Sequence, residues 1–188
     1  MQAKWIAIEL VFGLLLTASL SAQQTPQAAK TAKTALSSAD RSFVTTAQEG
    51  NLAEVEAARL VEQKSTDPAV KDFASRMVTD HTRASEQLKT LASAEGVTLP
   101  SALSAAERTQ DESWQKLSGT KLNDAYLRDE LQDHKETISA FENEIEHGQD
   151  KAVKKYAEQT LSTLQDHIRI AEDLVGQTGD VRQSWPDR

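Results

Sequence analysis

Apolar residues recur every three to four positions along four long stretches of the chain, the period of a helix with one buried face. The first stripe holds Phe43, Val44, Ala47, Asn51, Val55, Ala58 and Val61, and the second Val70, Phe73, Ala74, Met77, Ala84, Leu88 and Leu91. The third holds Leu127, Leu131, Ile138, Phe141 and Ile145; the fourth holds Val153, Tyr156, Ala157, Leu164, Ile168, Ala171 and Leu174. Punctuation sets the ends. Ser65-Thr66 closes a first helix that starts near Asp40, and Asp67-Pro68 supplies an N-cap and a first-turn proline for the second. Gly96 stops that helix, and a loop through Leu99-Pro100 leads to Ser104-Ala-Ala-Glu107, a capping box that opens a short helix ended by Gly119. Another long helix runs from about Thr120 to His147 and breaks at Gly148. Asp150 caps the last, which is expected to end at Gly176, leaving 177–188 as a flexible tail.

The two helical hairpins read as copies. Asp67-Pro-Ala-Val-Lys-Asp-Phe-Ala opens the second helix and Asp150-Lys-Ala-Val-Lys-Lys-Tyr-Ala the last, with the aromatic in the same place. Two antiparallel hairpins joined by a long segment predict an all-α four-helix bundle with a short crossover helix. The alternative is a simple up-down bundle with the short helix lying across one end.

Upstream of these helices, Lys4 precedes an apolar run from Trp5 to Leu20 that Glu9 interrupts, and Ser21-Ala22-Gln23 follows. This is the three-part layout of a secretory signal, with cleavage expected after Ala22 and an uncleaved anchor as the alternative. Residues 23–38 are too poor in apolar side chains to fold alone and read as a disordered linker to a domain at 39–176. The expected address is the periplasm or cell envelope, with no membrane span in the mature chain.

Composition narrows the chemistry. The chain has no cysteine, which excludes disulfides, thiolate metal sites and cysteine nucleophiles. Only seven glycines and four prolines in 188 residues agree with long helices, and a net charge of −8 disfavours nucleic acid as a partner.

Polar residues on the apolar stripes carry the functional signal, because a buried polar group needs a partner. Glu54 falls at the centre of the first stripe and His81 at the centre of the second. His134 is central on the third, with Glu130 one turn earlier, and His167 belongs to the fourth. Glu56 and His147 face outward. Counted from the turn at Ser65–Pro68, Glu54 and His81 are level to within about one helical turn, and so are His134 and His167 counted from Gly148–Asp150. Both pairs sit roughly 21–25 Å along the helix from their turns, so all four helices deliver a ligand to one mid-height layer. The expected site is one transition-metal ion, Fe, Mn, Zn or Cu, held by His81, His134 and His167 with Glu54, and with Glu130 as a further candidate. A buried polar network that fixes helix register is the alternative. Each core histidine follows an aspartate (Asp80, Asp133, Asp166), which can reach a ring on the adjoining helix but not its own neighbour's.

Phe43-Val-Thr-Thr-Ala-Gln-Glu-Gly-Asn-Leu-Ala-Glu-Val-Glu, Thr66-Asp-Pro-Ala-Val-Lys-Asp-Phe-Ala, Met77-Val-Thr-Asp-His-Thr, Gly96-Val-Thr-Leu-Pro and Ala125-Tyr-Leu-Arg-Asp together resemble the exported bacterial family called domain of unknown function 4142. The resemblance spans roughly Ala39 to Val175. It implies a ferritin-like bundle and brings no established reaction. Ferritin-like di-iron sites use Glu-x-x-His on two helices. Here Val78 and Leu164 stand three residues before His81 and His167, so a bridged di-iron centre is not expected. No Gly-x-Ser-x-Gly elbow, His-Glu-x-x-His or phosphate loop occurs, and no catalytic residue is assigned. The expected function is an exported metal-binding bundle. The competing expectation is a metal-free envelope or stress protein that binds a protein partner, or a second copy of itself, through an outer helix face.

Overall fold

A computed structural model describes residues 35–183, and the side chains of residues 35–177. All regular structure among them is helical: α1 (Ser38–Lys64), α2 (Pro68–Glu95), α3 (Ala105–Gln115), α4 (Gly119–His147) and α5 (Lys151–Gln183). The expected signal and the linker up to residue 34 lie outside the described residues.

The expected caps form. The Asp67 carboxylate accepts from the Ala69 and Val70 amides at 2.9 and 3.3 Å, and Asp150 serves Ala152 and Val153 in the same way at 2.8 and 3.1 Å. Ser104 and Glu107 complete the capping box of α3. Gly96 ends α2 at φ 66, a left-handed conformation that glycine adopts without strain. Two boundaries differ from expectation. The ordered body starts before residue 39: Ser37 caps α1, and Leu36 packs into the core at 7% exposure. At the other end α5 passes Gly176 and continues to Gln183. Gly176 keeps a negative φ, so it costs helix propensity without reversing the chain.

The main helix pairs are α1 with α2, α4 with α5, α2 with α5, and α1 with α4. The order around the core is therefore α1, α2, α5, α4, which sets α2 and α4 on a diagonal. The α2–α4 connection crosses that diagonal, and α3 within it rests on α1 with Trp114 buried. A simple up-down order would have made α2 and α4 neighbours.

Two apolar clusters fill the interior. One, near the α1–α2 turn, includes Val61, Phe73, Met77, Trp114, Leu122 and Leu174; the other, near the α4–α5 turn, includes Val44, Leu88, Phe141, Val153 and Leu164. Between them lies a layer of buried polar residues: Asn51, His81, Glu130, His134 and His167. An uninterrupted apolar core would be cheaper to fold, because each of these groups loses water on burial.

Candidate metal centre

His81 leaves α2 between the buried Met77 and Ala84, and the same helical period brings in His134 from α4 and His167 from α5. All three are at most 5% exposed. Their ring centroids form a near-equilateral triangle with sides of 5.3, 5.4 and 5.6 Å. One nitrogen of each ring lies within 4.8 Å of those of the other two.

The remaining nitrogen of every ring faces an oxygen. His81 Nδ1–H donates to Asn51 Oδ1 at 2.9 Å, and His167 Nε2–H donates to Asp80 Oδ2 at 3.1 Å. His134 Nδ1 stands 3.3 Å from Glu130 Oε2 and 3.7 Å from Glu54 Oε1. These acceptors assign the tautomers, leaving lone pairs on His81 Nε2 and His167 Nδ1. His134 Nε2 lies 3.2 Å from His167 Nδ1, whereas His81 Nε2 is buried with no hydrogen-bond partner. Burial, reinforced by the other rings, holds His81 well below the ordinary imidazole range and brings His134 down to about 3. Burial also lowers His167, although Asp80 opposes it. The three rings are thus neutral near pH 7, the form that ligates metals.

Asp80 carries the aspartate–histidine idea into the structure: it holds a ring on the adjoining helix, not its own neighbour's. Arg76 and Arg83 fix its carboxylate at 3.4 and 3.1 Å. Asp166 instead pairs with Arg76 and Arg169 near the surface. Asn51 is oriented in turn by donating from Nδ2 to the Tyr156 hydroxyl at 3.3 Å.

The five residues expected to share one ion do not meet at one point. They form two triads that share His134: His81, His134 and His167 on its Nε2 side, and Glu54, Glu130 and His134 on its Nδ1 side. Burial pushes Glu54 up to about 7, and burial together with the Glu54 charge holds Glu130 well above the carboxylate range. His147 is exposed at the end of α4, as its position off the stripe implied. Sequence reasoning put Asn51 on the buried stripe and gave it no task. It also passed over Tyr126, whose position one turn before Glu130 on α4 was the available signal.

A cavity of about 400 Å³ runs along the α1–α4 seam, with Phe43 and Phe141 in its wall, and reaches Glu54, His81 and His134. The site is therefore not sealed on that side.

Solved structures that share the fold include the following three. A DUF305 fragment from Deinococcus radiodurans matches with a TM-score of 0.69 at 14% identity, over 77% of this chain and 99% of that one. A DUF305 protein from Streptomyces coelicolor, whose name proposes secretion, matches at 0.65 and 15% identity, over 75% and 94%. A Bacillus halodurans protein, whose name proposes a spore-coat role, matches at 0.61 and 13%, over 82% and 95%. At such identities the likeness is one of fold alone. No curated protein matches the sequence. The family model described as "Domain of unknown function (DUF4142)" matches residues 25–174, and the chain belongs to that family.

Proposed function

We propose that this protein is an exported, ferritin-like four-helix bundle that binds a transition-metal ion through His81 Nε2, His134 Nε2 and His167 Nδ1. The observation that carries this reading is the division of labour within the His81 and His167 rings: one nitrogen turns toward the other histidines, and the opposite nitrogen donates a hydrogen bond to Asn51 or Asp80. Metal-ligating histidines are oriented in this way, because a hydrogen bond on the remote nitrogen fixes the tautomer and raises ligand basicity. Imidazole donors without thiolate suit Fe, Mn, Zn or Cu. The diagonal α2–α4 connection supports the ferritin-like assignment. Export rests on the N-terminal charge and apolar pattern and on the name of the Streptomyces relative; no helix among the described residues is long and apolar enough to cross a membrane.

Elemental analysis of protein recovered from the periplasm without an affinity tag tests the proposal, with N-terminal sequencing expected to start at Gln23. Stoichiometric metal and a melting temperature that falls on chelation are expected; less than about 0.1 equivalent with an unchanged transition overturns it. The 3.2 Å contact from His134 to His167 favours one second reading, a metal-free register network. In that case replacing His81 and His134 by Leu is neutral or stabilising, and no metal raises the melting temperature.

A further inference from the structure

We propose that Glu54, Glu130 and the Nδ1 atom of His134 form a second cation site, and that the His134 ring bridges it to the three-histidine site. The bridge rests on the three-histidine reading above, whereas the carboxylate triad stands on its own geometry.

Three observations converge on the Nδ1 side of His134. First, the spacing suits a first-row divalent ion. Glu130 Oε2 and Glu54 Oε1 stand 3.3 and 3.7 Å from His134 Nδ1. Two donors bound to one ion at about 2.0–2.1 Å stand roughly 3.3–3.4 Å apart at a tetrahedral angle, and the third separation, between the two carboxylates, is within 4.8 Å. Second, two of the three donor atoms lack partners. Glu130 Oε2 and His134 Nδ1 are each buried without a hydrogen bond, on residues 3% and 2% exposed, and the neighbouring Tyr126 hydroxyl, on a fully buried residue, has no well-formed bond either. Unsatisfied polar atoms at this density are rare in a folded core unless something binds them. Third, a carboxylate oxygen of Glu54 and one of Glu130 lie within 4.8 Å of each other, and two like charges that close are costly unless a cation sits between them. The ion has a route in: a cavity of about 110 Å³ beneath α3, with Trp114 in its wall, reaches Glu54 and Glu130.

His134 is the only residue common to both triads and presents a different nitrogen to each. With an ion on either side its ring has no N–H left, and the proton that it carried passes to solvent. The ligand class is a divalent first-row ion that accepts mixed carboxylate and imidazole donors.

Titration of the metal-free full chain with Cu(II), followed by elemental analysis and electron paramagnetic resonance, tests both statements without any variant. Two equivalents are expected, with a spin signal at two equivalents weaker than at one, because an imidazolate couples the two spins. Glu54→Gln with Glu130→Gln is expected to bind one equivalent with full signal, and His81→Gln with His167→Gln to retain one equivalent at the carboxylates. Two equivalents with twice the signal overturn the bridge. One equivalent that survives the glutamate changes and is lost with the histidine changes overturns the second site and leaves the first. One equivalent with the opposite sensitivity overturns the three-histidine reading and leaves the second site. No binding overturns both.

Discussion

Asp80 on α2 accepts a hydrogen bond from His167 on α5 at 3.1 Å, so a carboxylate next in sequence to one core histidine orients a different one across the helix interface. Arg76 and Arg83 hold that carboxylate from the solvent side. Asp80→Ala is expected to weaken metal binding at the three-histidine site by about 10–100-fold, the usual effect of removing such a partner. Competition against a chelator of known affinity measures it. Unchanged affinity would separate Asp80 from the site.

Asp40, at the start of α1, accepts the Gln149 and Asp150 amides at 2.9 and 3.2 Å and so ties the first hairpin to the turn of the second. Its own amide donates to the Ser37 hydroxyl at 3.0 Å. Asp40→Ala leaves two donors of the α4–α5 turn without that acceptor, and a loss of about 1–3 kcal/mol is expected in urea unfolding. A loss below about 0.5 kcal/mol would mean that water replaces the carboxylate at no cost.

Glu144 lies beside Asp40 and is pushed up to about 7, by burial first and then by its hydrogen bond to Asp40 and that residue's charge. The folded state therefore holds a proton that the unfolded chain releases near the ordinary glutamate range. This contribution to stability is whole below about 4.5 and declines as the pH rises toward about 7. Glu144→Gln mimics the protonated carboxyl and keeps a donor toward Asp40. Its melting temperature is expected to match the parent at pH 4 and to exceed it by several degrees at pH 8. Calorimetry at the two pH values provides the check, and an equal shift at both would contradict the protonation account.

Gly50 sits inside α1, and a Cβ placed there meets nothing within 4 Å. Gly50→Ala is expected to stabilise the fold by about 0.5–1 kcal/mol through the lost freedom of the unfolded chain. Denaturant midpoints measure this. Gly119 makes the contrast: its φ of 56 is left-handed, so the same change there is expected to destabilise despite equally open space.

Helix period, caps and the buried placement of His81, His134 and His167 were all legible in the sequence, because each depends on residues close together in the chain. Distances from the turns that match to within about one helical turn also predicted one polar layer, since an antiparallel hairpin fixes register by counting. The end of α5 was not legible in this way, because Gly176 alone signalled a stop that its backbone does not make. Nor was the order of helices: the repeat suggested two hairpins, but which faces meet depends on packing around the core.

The sequence by itself thus determined an all-helical chain with three histidines and two glutamates at one height. Only the tertiary structure decided that these five residues divide into two triads on opposite nitrogens of His134, and that Asn51 and Asp80 orient two of the rings. Helical spacing specifies the height and face of a side chain. Which nitrogen of a ring turns toward which neighbour depends on side chains from other helices, and those distances exist only after the bundle has closed.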